Sequence, residues 1–248
     1  MIKLIADPAE LVLDKSYYSG RIEAACRAYG TSYDFCRLYS FDKGSALIYN
    51  SSAVISGECD DTAELQSFIM LNSPETVECP PQTAEKLTLL GYEKKHRTLF
   101  ERKAAPPTEN APETATIMKM YEIVKASFGE TELDMWYADM SHRIRHGVSK
   151  AYMYKNAACA CVDFIYEGAA YISQVAVMPD QRGNGYGREM LEIISGELYK
   201  TGTVPRLWAY DDVMGFYRTI GFSEIDEDYI YIKSNMKYEG ENINGRNF

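Results

Sequence analysis

Residues Ala170 to Tyr199 read AYISQVAVMPDQRGNGYGREMLEIISGELY, and their pattern is strand, glycine-rich loop, helix. Tyr171 to Val177 is rich in side chains that suit a pleated surface. Pro179 ends that strand, because proline has no N–H for a ladder. The loop runs Gln181-Arg182-Gly183-Asn184-Gly185-Tyr186-Gly187. Met190, Leu191, Ile194 and Leu198 then fall on one face at the helical period. Glycines let successive backbone N–H groups turn inward with no Cβ in the way. At a helix start the macrodipole adds to those donors. The stretch therefore predicts an anion site suited to a phosphate or diphosphate, with Arg182 adding a charge-assisted bond at its rim.

Two known phosphate motifs make different demands on such a loop. A P-loop requires Gly-Lys-Ser/Thr where Gly187 is followed by Arg188 and Glu189, so it fails. The dinucleotide fingerprint requires a third glycine where Arg188 stands; Asp211, just after the next strand, imitates its acidic residue and keeps nucleotide binding as an alternative. The pattern Arg/Gln-x-x-Gly-x-Gly/Ala, filled by Arg182, Gly185 and Gly187, resembles motif A of the GNAT superfamily, the GCN5-related N-acetyltransferases. A second stretch, Phe216-Tyr217-Arg218-Thr219-Ile220-Gly221-Phe222, resembles that family's FYxxxGF signature. Both occur in the family's order, with a helix, a strand and a helix between, over roughly residues 114 to 236.

The resemblance implies an α/β (α+β) fold: a C-terminal GNAT domain with a mixed, mostly antiparallel sheet flanked by helices. It implies transfer of an acetyl group from acetyl-CoA to an amine of a small-molecule or peptide acceptor. It puts the coenzyme's diphosphate on Arg182, Gly183, Asn184, Gly185, Tyr186 and Gly187, with Phe216 beside it. The pantetheine arm would lie along Val175, Ala176 and Val177, where two parallel strands splay and expose backbone groups. A free N–H near Val175 would face the thioester oxygen. Tyr217 would be the general acid that protonates the leaving thiolate, a transfer from a phenol of pKa about 10 to a thiol of about 8.5. The plainer reading of Tyr217, one of 20 tyrosines, is a packing residue. A non-catalytic protein that senses CoA or the acceptor is the rival function. Asp211-Asp212 stands where the family often has a cofactor-binding asparagine.

Composition bounds the rest. The chain has 248 residues, 36 acidic against 26 basic, and a formal net charge of −10. That argues against general nucleic-acid binding, which rests on neutralising phosphates. No apolar run is long enough to span a bilayer, and the short apolar start MIKLIADPAE does not read as a signal peptide, so a cytoplasmic protein is expected. The six cysteines form no Cys-x-x-Cys pair. Cys159 and Cys161 lie on one face of a predicted strand and read as buried, reduced thiols. With three histidines and no ligand spacing, no metal is expected. For a base that strips the amine, Glu132, Asp163 and Glu167 compete with their reading as solvated carboxylates. His142 and His146, one turn apart, compete with an exposed polar face.

The domain organisation expected is an N-terminal α/β unit over 1–101, a proline-rich linker over 102–112, the acetyltransferase unit over 113–236 and a tail over 237–248. In the first unit a helix, three strands, a helix, a short strand, a helix and a strand follow in an order that parallels the second, with Gly91-Tyr92 set against Gly221-Phe222. This reads as a degenerate repeat, with an unrelated small α/β domain as its alternative. Where the second copy has its glycine loop, the first has Gly57-Glu58-Cys59-Asp60-Asp61, whose carboxylates would repel a diphosphate; Leu87 falls at the position of Tyr217. The first unit is therefore expected not to bind coenzyme.

Overall fold

A computed structural model describes residues 1–104, 113–129 and 132–234. Most of the expected linker (105–112) and the expected tail (237–248) lie outside the described residues. Contacts divide the chain at Arg97/Thr98 and again at Asp226/Glu227, giving two units.

The first unit carries β1 (Lys3–Leu4), α1 (Tyr17–Tyr29), β2 (Cys36–Phe41), β3 (Lys43–Tyr49), β4 (Ser52–Glu58), α2 (Thr62–Asn72), β5 (Thr76–Glu78), α3 (Pro81–Lys86) and the start of β6 (Tyr92–Glu101). β1 to β4 pair antiparallel in sequence order, and β4 then pairs parallel with β5. Ala46, Ile48, Ala53, Ile55 and Val77 bury one face of this sheet against Leu65 and Ile69 of α2 and Ala84 of α3. The strands are short and β-branched or small at these positions, which is what a sheet face under a helix selects.

The second unit carries the end of β6, β7 (Glu113–Thr114), α4 (Ile117–Phe128), α5 (Leu133–Arg145), β8 (Lys150–Tyr154), β9 (Ala158–Tyr166), β10 (Ala169–Val177), α6 (Tyr186–Lys200), β11 (Val204–Ala209), α7 (Met214–Thr219) and the start of β12 (Ser223–Lys233). β7 to β10 pair antiparallel in order; β10 pairs parallel with β11. Strand alternation sends Ala158, Ala160 and Val162 to the α6 face, with Ile172, Val177, Met190 and Leu191. Cys159 and Cys161 go to the opposite face, under Met120, Ile123 and Val124 of α4 and Met140 of α5. Both thiols are buried and unbridged. Burial pushes the Cys159 thiol up to about 12, so it stays protonated at neutral pH.

The strand that ends each half of the sequence is shared out by contacts. Thr98–Glu101 of β6 pairs antiparallel with Arg206–Ala209 of β11 in the second unit. Ile230–Ile232 of β12 pairs antiparallel with Thr76–Glu78 of β5 in the first. Each unit thus shows a meander of antiparallel strands, one parallel pair and a final antiparallel strand.

The helix starts that follow the parallel-pair strands differ between the units. Asp61 caps α2, its carboxylate accepting from the Glu64 N–H at 2.8 Å. The N-cap of α2 is thus itself a carboxylate. Replacing Asp61 with Ala should cost about 1 kcal/mol of unfolding free energy in urea denaturation. Gly185 caps α6 with no side-chain bond at all.

Candidate active site

The site in the second unit begins where β10 stops being an ordinary strand. Its parallel pairing with β11 covers only Ala169–Tyr171 against Val204–Arg206, although β10 runs on to Val177 and β11 to Ala209. Beyond Tyr171 the two strands part. On the other edge β10 keeps β9 as partner to Val177, but with a register break between Ser173 and Ala176. Gln174 lies in that break with a left-handed φ of 51°, a conformation that a non-glycine residue adopts at a cost of ~1–2 kcal/mol. A β-bulge of this kind re-aims the side chains around it. Among the described residues, Ser173 Oγ and Gln174 Oε1 are buried with no hydrogen-bond partner, so the bulge holds polar atoms for water or a ligand to satisfy.

Val175, Ala176 and Val177 follow the bulge and are buried. Val175 and Val177 belong to the α6-side core and Ala176 to the α4-side core. The Val177 carbonyl accepts from Ser127 Oγ at 3.1 Å and from Arg182 Nε at 3.3 Å. That second bond folds the glycine loop back over the strand end.

The loop itself has left-handed φ values at Gly183 (82°) and Gly185 (78°). Asn184 is exposed, and its Nδ2 donates to the Gln181 carbonyl at 3.0 Å, bracing the turn. The first backbone bond of α6 is from Glu189 N–H to the Gly185 carbonyl at 3.0 Å. The amides of Tyr186, Gly187 and Arg188 thus start the helix without a partner inside it. A Cβ on Gly187 would lie 3.3 Å from Val177 Cγ2 and 3.6 Å from Phe216 Cζ, so a larger residue would press on the Val177 side chain and glycine leaves helix, strand and α7 closely packed. The result is a pocket of about 210 Å³ lined by Val177, Arg182, Gly183, Gly185, Gly187 and Phe216, among others. Gln181, Arg188, Thr219 and Ile220 also line it. All four stand inside or beside the two quoted motifs, at positions that neither pattern specifies.

Tyr217 packs its ring among Phe100, Phe216 and Phe222, with centroids 5.8, 5.2 and 6.0 Å away. It shares the core cluster of Val175 and Val177. Its side chain is 6% exposed. Burial, with the charge of Asp212 adding to it, pushes the phenol well above its ordinary value. The hydroxyl is therefore a proton carrier throughout the neutral range.

The candidate bases fall in varied surroundings. Asp163 lies at a second register break, in β9, with an oxygen 3.8 Å from Arg143 Nη2. Glu132 precedes α5 without capping it, and Glu167 occupies a turn with φ 46°. His142 and His146 stack with centroids 3.9 Å apart, and His146 Nδ1 bonds the His142 carbonyl at 2.8 Å. Among the described residues no three His, Cys, Asp or Glu side chains gather as a metal site, and no helix is long and apolar enough to cross a membrane.

Residues 117–222 match the family model described as Acetyltransferase (GNAT) family. No curated protein matches the chain. Among solved structures, a GCN5-related N-acetyltransferase from Kribbella flavida is 15% identical, with a TM-score of 0.58 over 88% of this chain and 95% of its own. A GCN5-related N-acetyltransferase from Sphaerobacter thermophilus is 18% identical, with a TM-score of 0.55 over 93% and 94%. A GNAT-family acetyltransferase from Colwellia psychrerythraea is 10% identical, with a TM-score of 0.57 over 94% and 99%. At these identities the likeness is one of fold, and it runs through both halves of the chain.

Proposed function

Residues 117–222 form a domain of the acetyltransferase (GNAT) family, and on that premise we propose that this protein transfers an acetyl group from acetyl-CoA to an amine nitrogen of a small-molecule or peptide acceptor. One observation carries the reading. The end of the parted strand β10 and the uncapped helix start line one pocket, and Tyr217 is buried in the same core cluster as Val175 and Val177.

The chain's own groups divide the work. The amides that open α6, with Arg182, hold the diphosphate. Gly187 keeps that end shallow enough for the phosphates to approach the backbone. The unpaired edge of β10 receives the pantetheine arm as an added strand would be received. An N–H at the bulge, near Val175, donates to the thioester oxygen as negative charge grows on it. The amine attacks the carbonyl carbon, the C–S bond breaks, Tyr217 Oη–H gives its proton to the departing sulfur, and the proton shed by the nitrogen passes through water to restore the phenol. Its raised pKa keeps the proton on oxygen at neutral pH and makes its donation uphill; a thiolate held in the same dry surroundings is destabilised too, which narrows that gap.

The first unit is proposed as a degenerate copy of the same fold that holds no coenzyme. Support comes from its strand order and from Asp61, whose carboxylate caps the equivalent helix. Leu87, at the position of Tyr217, is a buried apolar residue.

Tyr217→Phe tests the chemistry. Removal of one hydroxyl from a packed ring should leave CoA affinity within about twofold while kcat falls roughly a hundredfold. Thiol release from acetyl-CoA, followed across a panel of amines, gives the rate. An unchanged kcat removes Tyr217 from the mechanism. CoA binding with no amine-dependent thiol release by the wild type favours the sensor reading instead.

A further inference from the structure

Beside the diphosphate pocket stands a group that works against it. Glu189 lies in the first turn of α6, and its Oε1 comes within 3.8 Å of where a Cβ on Gly185 would be. Gly185 lines the pocket. A carboxylate there repels any phosphate that the helix start attracts, by an amount that solvent screens, since the Glu189 side chain is 45% exposed.

The tip of the β8–β9 hairpin reaches this carboxylate. Lys155 and Asn156 are both left-handed, with φ 50° and 55°, the conformation of a two-residue turn that holds a hairpin tip rigid. Tyr154 Oη donates to Glu189 Oε2. Lys155 Nζ is 3.7 Å from the same oxygen. The ammonium also sits 4.9 Å from the Tyr154 ring centroid and 4.8 Å from that of Tyr186, a second pocket-lining residue. Two ring faces and one carboxylate thus fix the lysine at one place. Of the pocket's arginines, Arg188 pairs with Glu192 at 3.1 Å, and Arg182 meets the Val177 carbonyl through its Nε at 3.3 Å.

We infer that Lys155 is a positioning residue of the coenzyme site, which neutralises Glu189 so that the start of α6 presents net positive potential to a diphosphate. This rests on the coenzyme reading above. It extends the site to a hairpin turn that neither motif contains. The lysine acts through Glu189, without touching the phosphate itself.

A double-mutant cycle tests it, with CoA as the titrant in calorimetry at low and moderate salt. Wild-type protein that fails to bind CoA sinks the coenzyme reading, whatever Lys155 does. Given wild-type binding, Lys155→Ala should weaken CoA about fivefold at low salt, with a smaller loss at higher salt. Lys155→Arg should restore most of the affinity. Glu189→Gln should bind CoA as well as the wild type or better, and Lys155→Ala in the Glu189→Gln background should cost less than twofold. An equal loss from Lys155→Ala in both backgrounds overturns the inference, because the lysine would then bind phosphate directly. No loss in either background overturns it too. Thermal melting of each variant checks that the hairpin is intact; a Lys155→Ala protein with a wild-type melt and wild-type affinity removes the role outright.

Discussion

Arg182→Glu combined with Gly185→Val is expected to weaken CoA binding on the order of a hundredfold or more. The two changes act on different terms. Arg182 is the loop's cation, and its Nε already holds the loop over the end of β10. Glutamate there loses that bond and places a negative charge at the mouth of the pocket that Arg182 lines. Gly185 is the left-handed cap of α6, with φ 78° and ψ 3°. A β-branched residue at that φ is a steric outlier, so valine forces the loop and the first amides of α6 into another path. Arg182→Glu alone, which leaves the backbone conformation available, should still cost roughly tenfold. Calorimetric titration with CoA reads both. Affinity within twofold of wild type for the double variant would mean that the helix start does not hold the coenzyme.

The second large effect belongs to the first unit. Arg97 is buried between two carboxylates: its Nε and Nη2 meet Asp228 Oδ1 and Oδ2 at 2.6 and 2.9 Å, and its Nη1 meets Glu78 Oε2 at 2.7 Å. Tyr18 Oη donates to Asp228 at 2.5 Å, Tyr17 Oη donates to Glu78 at 3.2 Å, and Arg21 pairs with Glu78. Glu78 and Asp228 stand on the adjacent strands β5 and β12, so the network ties the last strand of the chain into this unit. Arg97→Met would leave the Asp228 carboxylate buried without its guanidinium and would strip Glu78 of one of its two arginines. That should cost roughly 3–5 kcal/mol, read as a lower urea midpoint.

Acid should act on the same network. Burial pushes the Glu78 carboxyl up, but Arg21 and Arg97 more than offset it and hold the group below the usual carboxylate range. Its unfolded value is higher, so its contribution is present above about pH 4.5 and is lost as pH falls through the folded value. The urea midpoint should therefore drop on acidification below about pH 4, and less so in Glu78→Gln. A Glu78→Gln protein with the wild-type pH profile would remove this carboxylate from the account.

The site was legible from the sequence to the extent that local rules build it. Gly183, Gly185 and Gly187 sit in one short stretch, and local geometry favours glycine there: two left-handed positions and one close approach to the Val177 and Phe216 side chains. Pro179 and the helical period of Met190, Leu191, Ile194 and Leu198 fixed the ends of strand and helix in the same way. Asp61 was readable as a cap because capping involves only three or four neighbouring residues. Lys155 and Glu189 were not readable. They stand 34 positions apart, and nothing in a surface lysine at a turn tells which carboxylate it will meet. Gln174 gave no signal either, since its left-handed φ arises from a register break against β9 that pairing alone creates.

What the sequence determined by itself was therefore everything set by neighbours within a few residues: the glycine cradle, the helix faces, the caps and the strand alternation that buries Cys159 and Cys161. Tertiary structure decided which strands pair. Thr98–Glu101 and Ile230–Ile232 each follow the helix of one half of the sequence, yet lie against β11 and β5. Hydrophobic alternation states that a segment is a strand and which face it buries, but any edge with a matching face can accept it. Groups distant in sequence meet where the choice was made: Arg97 closes on Glu78 of β5 and Asp228 of β12, and a buried charge is stable only beside its partners.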